Sequence, residues 1–216
     1  MTAELKERLI KEPITIGLMG PIGSGKSTLA ERLGRRLRVS VVEERFTKNP
    51  YLEDFYGDPW AWSFKSQTWF FLEKVEQLKG LDYTKSWLFD PWLEMDMLYP
   101  KVLEKIGLMG SPEFRLYNES SNEIYTSLLK QRRIKKPDLY ICTNARLPVL
   151  EARIRERGRP YELLMLKNYP HYLANLSAEV DAFRADNFLQ IDTTKNNSLD
   201  EMHIDGLMEK VKRRIL

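Results

Sequence analysis

The chain has 216 residues, 43% hydrophobic and 30% charged, with 34 basic against 31 acidic side chains for a net charge of +3. At roughly 150 residues per domain this reads as one domain, 1–216, able to bury a core without staples. The near balance of charge gives no case for a nucleic-acid partner. One cysteine, Cys142, and two histidines, His171 and His203, exclude an internal disulfide framework, argue against a Cys/His zinc site and suit a reducing compartment.

Residues 3–11 read as a short polar helix. Ile14 to Met19 is a compact apolar run ending in glycine, a buried-strand signal. Ser27 to Leu37 is helical, with Leu29, Leu33 and Leu37 on one stripe. Val39 to Val42 is a second strand. Asn49-Pro50 and Asp58-Pro59 mark turns or boundaries. Residues 60–79 form a long aromatic helix stopped by Gly80, and Ser86 to Phe89 is a short third strand. Residues 92–106 and 112–134 are helical, Leu139 to Cys142 is a fourth strand, and residues 148–157 make a basic helix. One further helix is expected over 161–184, a fifth strand over Phe188 to Ile191, and a last helix over 198–214. Strands alternating with helices predict a parallel sheet covered on both faces, with ligands beyond the strands' carboxyl ends. No run approaches the roughly 20 apolar residues of a membrane span. The first residues lack the apolar core of a signal peptide. The expectation is a cytoplasmic, soluble chain with no membrane partner.

The segment from Gly20 through Gly23, Ser24, Gly25, Lys26, Ser27 and Thr28 fits G-x-x-x-x-G-K-[ST], between an apolar run and an amphipathic helix. Glycines let successive backbone N–H groups turn inward around phosphate oxygens, and the helix start adds its donors and dipole. Lys26 is expected to neutralise the β- and γ-phosphates and Ser27 to ligate Mg²⁺. This loop predicts a nucleoside triphosphate and leaves the phosphate acceptor open. The chain lacks an Asn-Lys-x-Asp guanine motif, which disfavours a GTPase.

Four other stretches bear on the acceptor. Glu43 and Glu44 end the second strand; a carboxylate there suits a general base, and the plainer alternative is a solvated strand end. Asp90 ends the third strand, either as a second Mg²⁺ anchor or as a turn residue before Pro91. The run from Phe55 to Gln67 joins aromatic surface to an amide that can read a base edge. Of its aromatics and those just after, Trp60, Trp62, Phe64, Trp69, Phe70 and Phe71 are expected mostly in the core. Arg153, Arg157 and Arg159, around Gly158, suit a mobile clamp on phosphates or a solvated basic helix end.

Together these residues resemble the deoxynucleoside kinase family over roughly residues 14–194. The resemblance implies a P-loop NTPase fold: a three-layer α/β sandwich with a five-stranded parallel sheet and an arginine-rich lid at about 153–162. It implies ATP as donor with Mg²⁺ at Ser27 and Asp90, Glu44 as catalytic base, and Lys26, Arg153 and Arg157 as catalytic cations. ATP would be held by the loop, Arg157 and Arg159. Tyr56 and Glu162 would hold the sugar; Gln67, Lys74 and Asp96 would face the base, with Lys74 where the family has an arginine. A homodimer is also implied. The chain departs where the family reads Asp/Glu-Arg-Ser: it has Asp90-Pro91-Trp92. Either another arginine replaces the missing charge, with Arg45 a candidate, or the chain binds nucleotide without turnover. A nucleoside monophosphate kinase is a further alternative.

Overall fold

The computed structural model describes residues 11–195 and 201–215. Residues 3–10 of the expected helix over 3–11 and the first residues of the one over 198–214 lie outside that range. Strands β1 (Thr15–Met19), β2 (Ser40–Glu43), β3 (Trp87–Asp90), β4 (Leu139–Asn144) and β5 (Phe188–Asp192) form one sheet in the order β2-β3-β1-β4-β5. Every pairing is parallel, and the register sets Gly17 between Phe89 and Tyr140.

Alternation along the strands separates two cores. Ile16, Leu18, Leu88, Leu139 and Ile141 point to one face. There they meet Leu29, Leu33 and Leu37 of α1 (Lys26–Leu37), and Ile204 and Val211 of α9 (Glu201–Ile215). Met19, Phe89, Tyr140 and Cys142 point to the other. That face is covered by α3 (Pro59–Lys79), α4 (Glu94–Lys105), α5 (Ser111–Lys130) and α8 (Pro170–Ala182). Period-two side chains on a sheet buried twice produce the expected three layers. Gly17 is required by close approach: a Cβ there would lie 2.9 Å from Cβ of Trp92, a fully buried side chain.

Several elements differ from expectation. The stretch 161–184 is two helices, α7 (Pro160–Asn168) and α8, broken at Tyr169. Pro170 supplies no N–H and disfavours helical backbone in the residue before it. Between β2 and α3 the chain makes a 3₁₀ turn, Phe46–Lys48, and a short helix, α2 (Leu52–Gly57), which turn signals alone did not reveal. Buried Asn49 anchors this stretch: its Nδ2 donates to Ser66 Oγ at 2.9 Å and its Oδ1 accepts from the Tyr51 N–H at 2.9 Å. Helix α6 (Leu147–Arg157) ends at Gly158 in left-handed backbone, φ 68°. Trp60, expected with the core, is 60% exposed in the first turn of α3, while Phe71 is buried.

Glu94 ties α4 to α5 and to β4 on the side of the sheet that α3–α5 cover. Its Oε1 accepts from Tyr125 and Tyr140 hydroxyls at 2.9 and 2.8 Å. Its Oε2 is buried without a partner among the described residues. Burial pushes its carboxyl above the ordinary carboxylate range, against both tyrosine hydrogen bonds. A proton is therefore held more tightly in the folded chain than in the unfolded one. The resulting stability is complete below the ordinary carboxylate value and is lost as pH rises through the folded one. Glu94→Gln keeps an acceptor for both tyrosines and cannot ionise. Its stability in urea, relative to the native chain, is expected to rise as pH increases from mildly acidic to neutral. A pH-independent difference would refute that role.

Candidate active site

All five strands run the same way, so their carboxyl ends share one edge, and the site hangs from it. The loop after β1 wraps back under α1. Gly23 and Gly25 take φ of 82° and 87°, backbone that side chains with a Cβ rarely adopt. Lys26 Nζ donates to the carbonyls of Gly20 and Pro21 at 2.6 and 2.9 Å. Burial pulls its ammonium below the usual lysine range, partly opposed by Asp90 and then Glu44. Ser24 is fully buried and turns its hydroxyl to Thr143 Oγ1 at 2.8 Å, so the side chain braces the loop from behind.

A second brace comes from β5 and α6. The Thr193 hydroxyl donates to the Ser24 carbonyl at 2.9 Å. Arg153 donates to the Thr193 carbonyl at 2.6 Å, its Oγ1 at 3.2 Å and the Gly23 carbonyl at 3.3 Å. These bonds fix the carbonyls of Gly23 and Ser24, and with them the course of the loop. Arg153, expected as a catalytic cation, thus has its guanidinium committed to the loop. Thr193 had no signal in the sequence; only the β5 end beside the loop reveals it.

Two chambers share a wall. The larger is lined by Gly23, Gly25, Lys26, Ser27 and Thr28 of the loop, and by Asp90, Arg153, Arg157 and Arg159. Gly20 lies in the loop outside this lining, packed so that a Cβ would meet the Thr143 carbonyl at 2.5 Å. The smaller chamber is lined by Tyr56, Gln67, Asp96 and an aromatic set including Phe70, Tyr99 and Tyr172. Glu44, Arg159 and Glu162 line both. Tyr99 stands one helical turn after Asp96, a spacing that marks it in retrospect. Phe70 and Tyr172 carried no such signal.

Burial raises the Glu44 carboxyl above the usual carboxylate range, while Lys74 and then Lys26 oppose the shift. Burial also pushes the Tyr56 phenol well up, so it stays a hydrogen-bond donor; its ring stacks on Tyr161 at 5.0 Å. Glu162 is almost fully buried. Its Oε2 accepts from Arg157 Nε and Nη2 at 2.9 and 2.7 Å, and its Oε1 accepts from Arg159 at 3.3 Å. Arg159 also lies over the Phe46 ring at 4.7 Å. Lys74 is buried behind the small chamber, outside its lining, with Nζ lacking a partner among the described residues. Burial drives Asp96 up to about 8, against Lys74.

Arg45 does not reach the site. It is exposed and donates to Glu73 at 2.7 Å, on the outer side of α3. The Asp90–Pro91 peptide is cis, and Pro91 faces the large chamber. Asp90 is 5% exposed, and its Oδ1 is buried with no partner among the described residues. An unpaired buried carboxylate oxygen in the chamber that Ser27 also lines fits a hard cation with oxygen ligands. Among the described residues there is no group of three His, Cys, Asp or Glu fit to cage a metal. Mg²⁺ needs no such cage when substrate phosphates complete its shell. No helix among the described residues is long and apolar enough to cross a membrane.

The sequence model of the family described as Deoxynucleoside kinase matches residues 16–216. A deoxyguanosine kinase from Lactobacillus acidophilus is 32% identical over 149 residues, covering 69% of this chain and 65% of that protein. The chain thus matches just under two thirds of that relative's length. A deoxyguanosine kinase from Bacillus subtilis is 30% identical over 154 residues, covering 71% of this chain and 72% of its own. A solved structure of a deoxyadenosine kinase from M. mycoides with bound dATP shares the fold. Its TM-score is 0.76 at 24% identity, over 92% of this chain and 99% of that one. A match running from inside β1 to the last residue, with relatives at this identity, places the chain in the deoxynucleoside kinase family.

Proposed function

We propose that the protein transfers the γ-phosphate of ATP to the 5′-hydroxyl of a deoxynucleoside. The observation that carries this reading is the position of Glu44. It lines the wall shared by the chamber at the phosphate loop and a smaller aromatic chamber. A hydroxyl in the small chamber that points at the large one must pass this carboxylate. ATP's phosphates sit on the loop's N–H groups, and Lys26 leaves its carbonyl partners to meet them. Mg²⁺, held by Ser27, Asp90 and the phosphates, supplies charge neutralisation. Glu44 orients the 5′-hydroxyl and accepts its proton.

The sugar lies between Tyr56 and Glu162, and the base lies against Gln67 and Asp96, with Lys74 behind them. Arg159 stands at the boundary of the chambers and supplies the cation that Pro91 removes. Arg157 reaches the donor phosphates from the same segment, and residues 153–162 act as the lid. Catalysis is then positioning and charge stabilisation in a water-poor site. A homodimer working in the cytoplasm, with small molecules as its partners and no nucleic acid, accompanies this reading through the family resemblance.

Glu44→Gln is expected to lower kcat by roughly 10²–10⁴-fold, the usual range for a general base, while leaving ATP binding intact. Product formation with Mg-ATP and a panel of deoxynucleosides and their monophosphates measures this; unchanged turnover would overturn the role of Glu44. Since the raised carboxyl must lose its proton to act, kcat/KM should rise with pH through a value above the ordinary carboxylate range. Glu44→Gln should abolish that limb.

The loop brace has its own signature. Thr193→Val removes the hydroxyl that holds the Ser24 carbonyl, and should raise the KM for ATP by about tenfold, the order of one lost hydrogen bond. The KM for the nucleoside should stay the same, and Thr193→Ser should restore the native value. Equal effects on both substrates would indicate a general loss of structure.

A further inference from the structure

The sheet lets go of the chain just before the general base. The last register pair of β2 joins Glu43 to Asp90, so Glu44 is the first residue beyond the ladder. It also stands among like charges, because Glu43, Asp90 and Glu162 line the same chamber. A carboxylate carried past the end of a strand, beside three others, keeps one position only if its backbone is held from elsewhere.

The hold comes from α3. Gln77 Nε2 donates to the Glu43 carbonyl at 3.1 Å, and that carbonyl belongs to the peptide that enters Glu44. One residue after Glu44, Arg45 Nη1 donates to Glu73 Oε1 at 2.7 Å. Further along, Asn49 Nδ2 donates to Ser66 Oγ at 2.9 Å. Gln77, Glu73 and Ser66 follow one another at steps of four and seven residues, so they share one face of the helix. The stretch from 43 to 49 therefore runs back along α3, tied to it in three places, and Glu44 lies between the first two. An adjacent face of the same helix carries Gln67 and Phe70 into the small chamber. One helix thus sets both a wall of that chamber and the place of residue 44.

We propose that Gln77 and the Arg45–Glu73 ion pair are positioning residues for Glu44, tethers on either side that keep its carboxylate on the wall between the chambers. This rests on the reading of Glu44 as general base and adds three residues that line neither chamber. Arg45 then has a task other than replacing a lost charge in the site. The tethers matter little to folding, since the ion pair stands at the surface with Arg45 half exposed. Their weight falls on the rate, because a misplacement of about 1 Å at a reacting group costs on the order of 10²-fold.

The test uses the full chain with Mg-ATP and the deoxynucleoside it turns over fastest. Gln77→Met and Glu73→Met each remove one tether while keeping a side chain of similar length. Each is expected to lower kcat by roughly threefold to tenfold, and the two together by roughly 30-fold, with both KM values and the Tm close to native. Glu73→Gln still offers Arg45 an acceptor and should keep kcat within about twofold of native. In the Glu44→Gln chain there is no base to position, so the same substitutions should alter the residual rate by less than about twofold. Native kcat in the double variant overturns the inference and leaves the kinase reading standing. An equal loss in the Glu44→Gln chain also overturns it, as does a loss spread over kcat, KM and Tm alike. The single substitutions decide the matter if the double variant does not fold. Where Glu44→Gln is too slow to follow, the split between kcat and KM and the rescue by Glu73→Gln decide it. Failure of the native chain to phosphorylate any deoxynucleoside would remove the kinase reading, and this inference with it.

Discussion

Charge held out of water at one edge of a parallel sheet is the constraint on which the site depends. Lys26 opens α1 beyond the loop and Glu44 follows β2; burial moves the proton affinity of both, and each also feels the other and Asp90. In water such groups would be screened; in the cleft each must be met by an opposite charge, a phosphate or a cation. Glu162 shows the same rule in a satisfied form, since its buried carboxylate takes both Arg157 and Arg159. Asp90 shows it unsatisfied. The arrangement is preorganised for a ligand that brings both negative phosphates and a divalent ion.

The remainder of the fold keeps that edge stiff. Alternating side chains send half of each central strand into one core and half into the other, so the strand ends cannot shift without disturbing two packed layers. The phosphate loop is tied from behind by hydroxyls and by a guanidinium. Ser24, Thr143, Thr193 and Arg153 converge there from the loop, β4, the end of β5 and α6. The arginines of α6 and of the turn after it therefore divide their work. Arg153 supports the loop, while Arg157 and Arg159, on either side of left-handed Gly158, face the chambers. Charge pattern alone cannot separate these tasks, because the three residues look alike along the chain.

Much of the architecture was legible beforehand. Short apolar runs marked all five strands, because β1, β3 and β4 are almost wholly buried and even the edge strands β2 and β5 turn apolar side chains to a core, and glycine spacing marked the loop because its backbone needs positive φ. The single helix expected over 161–184 failed at Pro170, where missing N–H outweighs continuous apolar content. Helix α2 was hidden because it spans six residues, too few for periodicity to register. Arg45 pointed outward, since a residue just beyond a strand end can turn to either side, and Glu73 of α3 held it there.

Local chemistry was thus a property of the chain: a glycine loop that must bind phosphate, carboxylates at strand ends, and an amide among aromatics. These follow from backbone conformation and residue type, which act over a few positions. What only the tertiary structure decided was company. It set Glu44 on a wall shared by two chambers, committed Arg153 to a carbonyl 130 residues away, and left Asp96 and Lys74 buried with unspent polar atoms. Proton affinity and hydrogen-bond capacity depend on burial and on neighbours brought together from distant segments, and those appear only once the chain has packed.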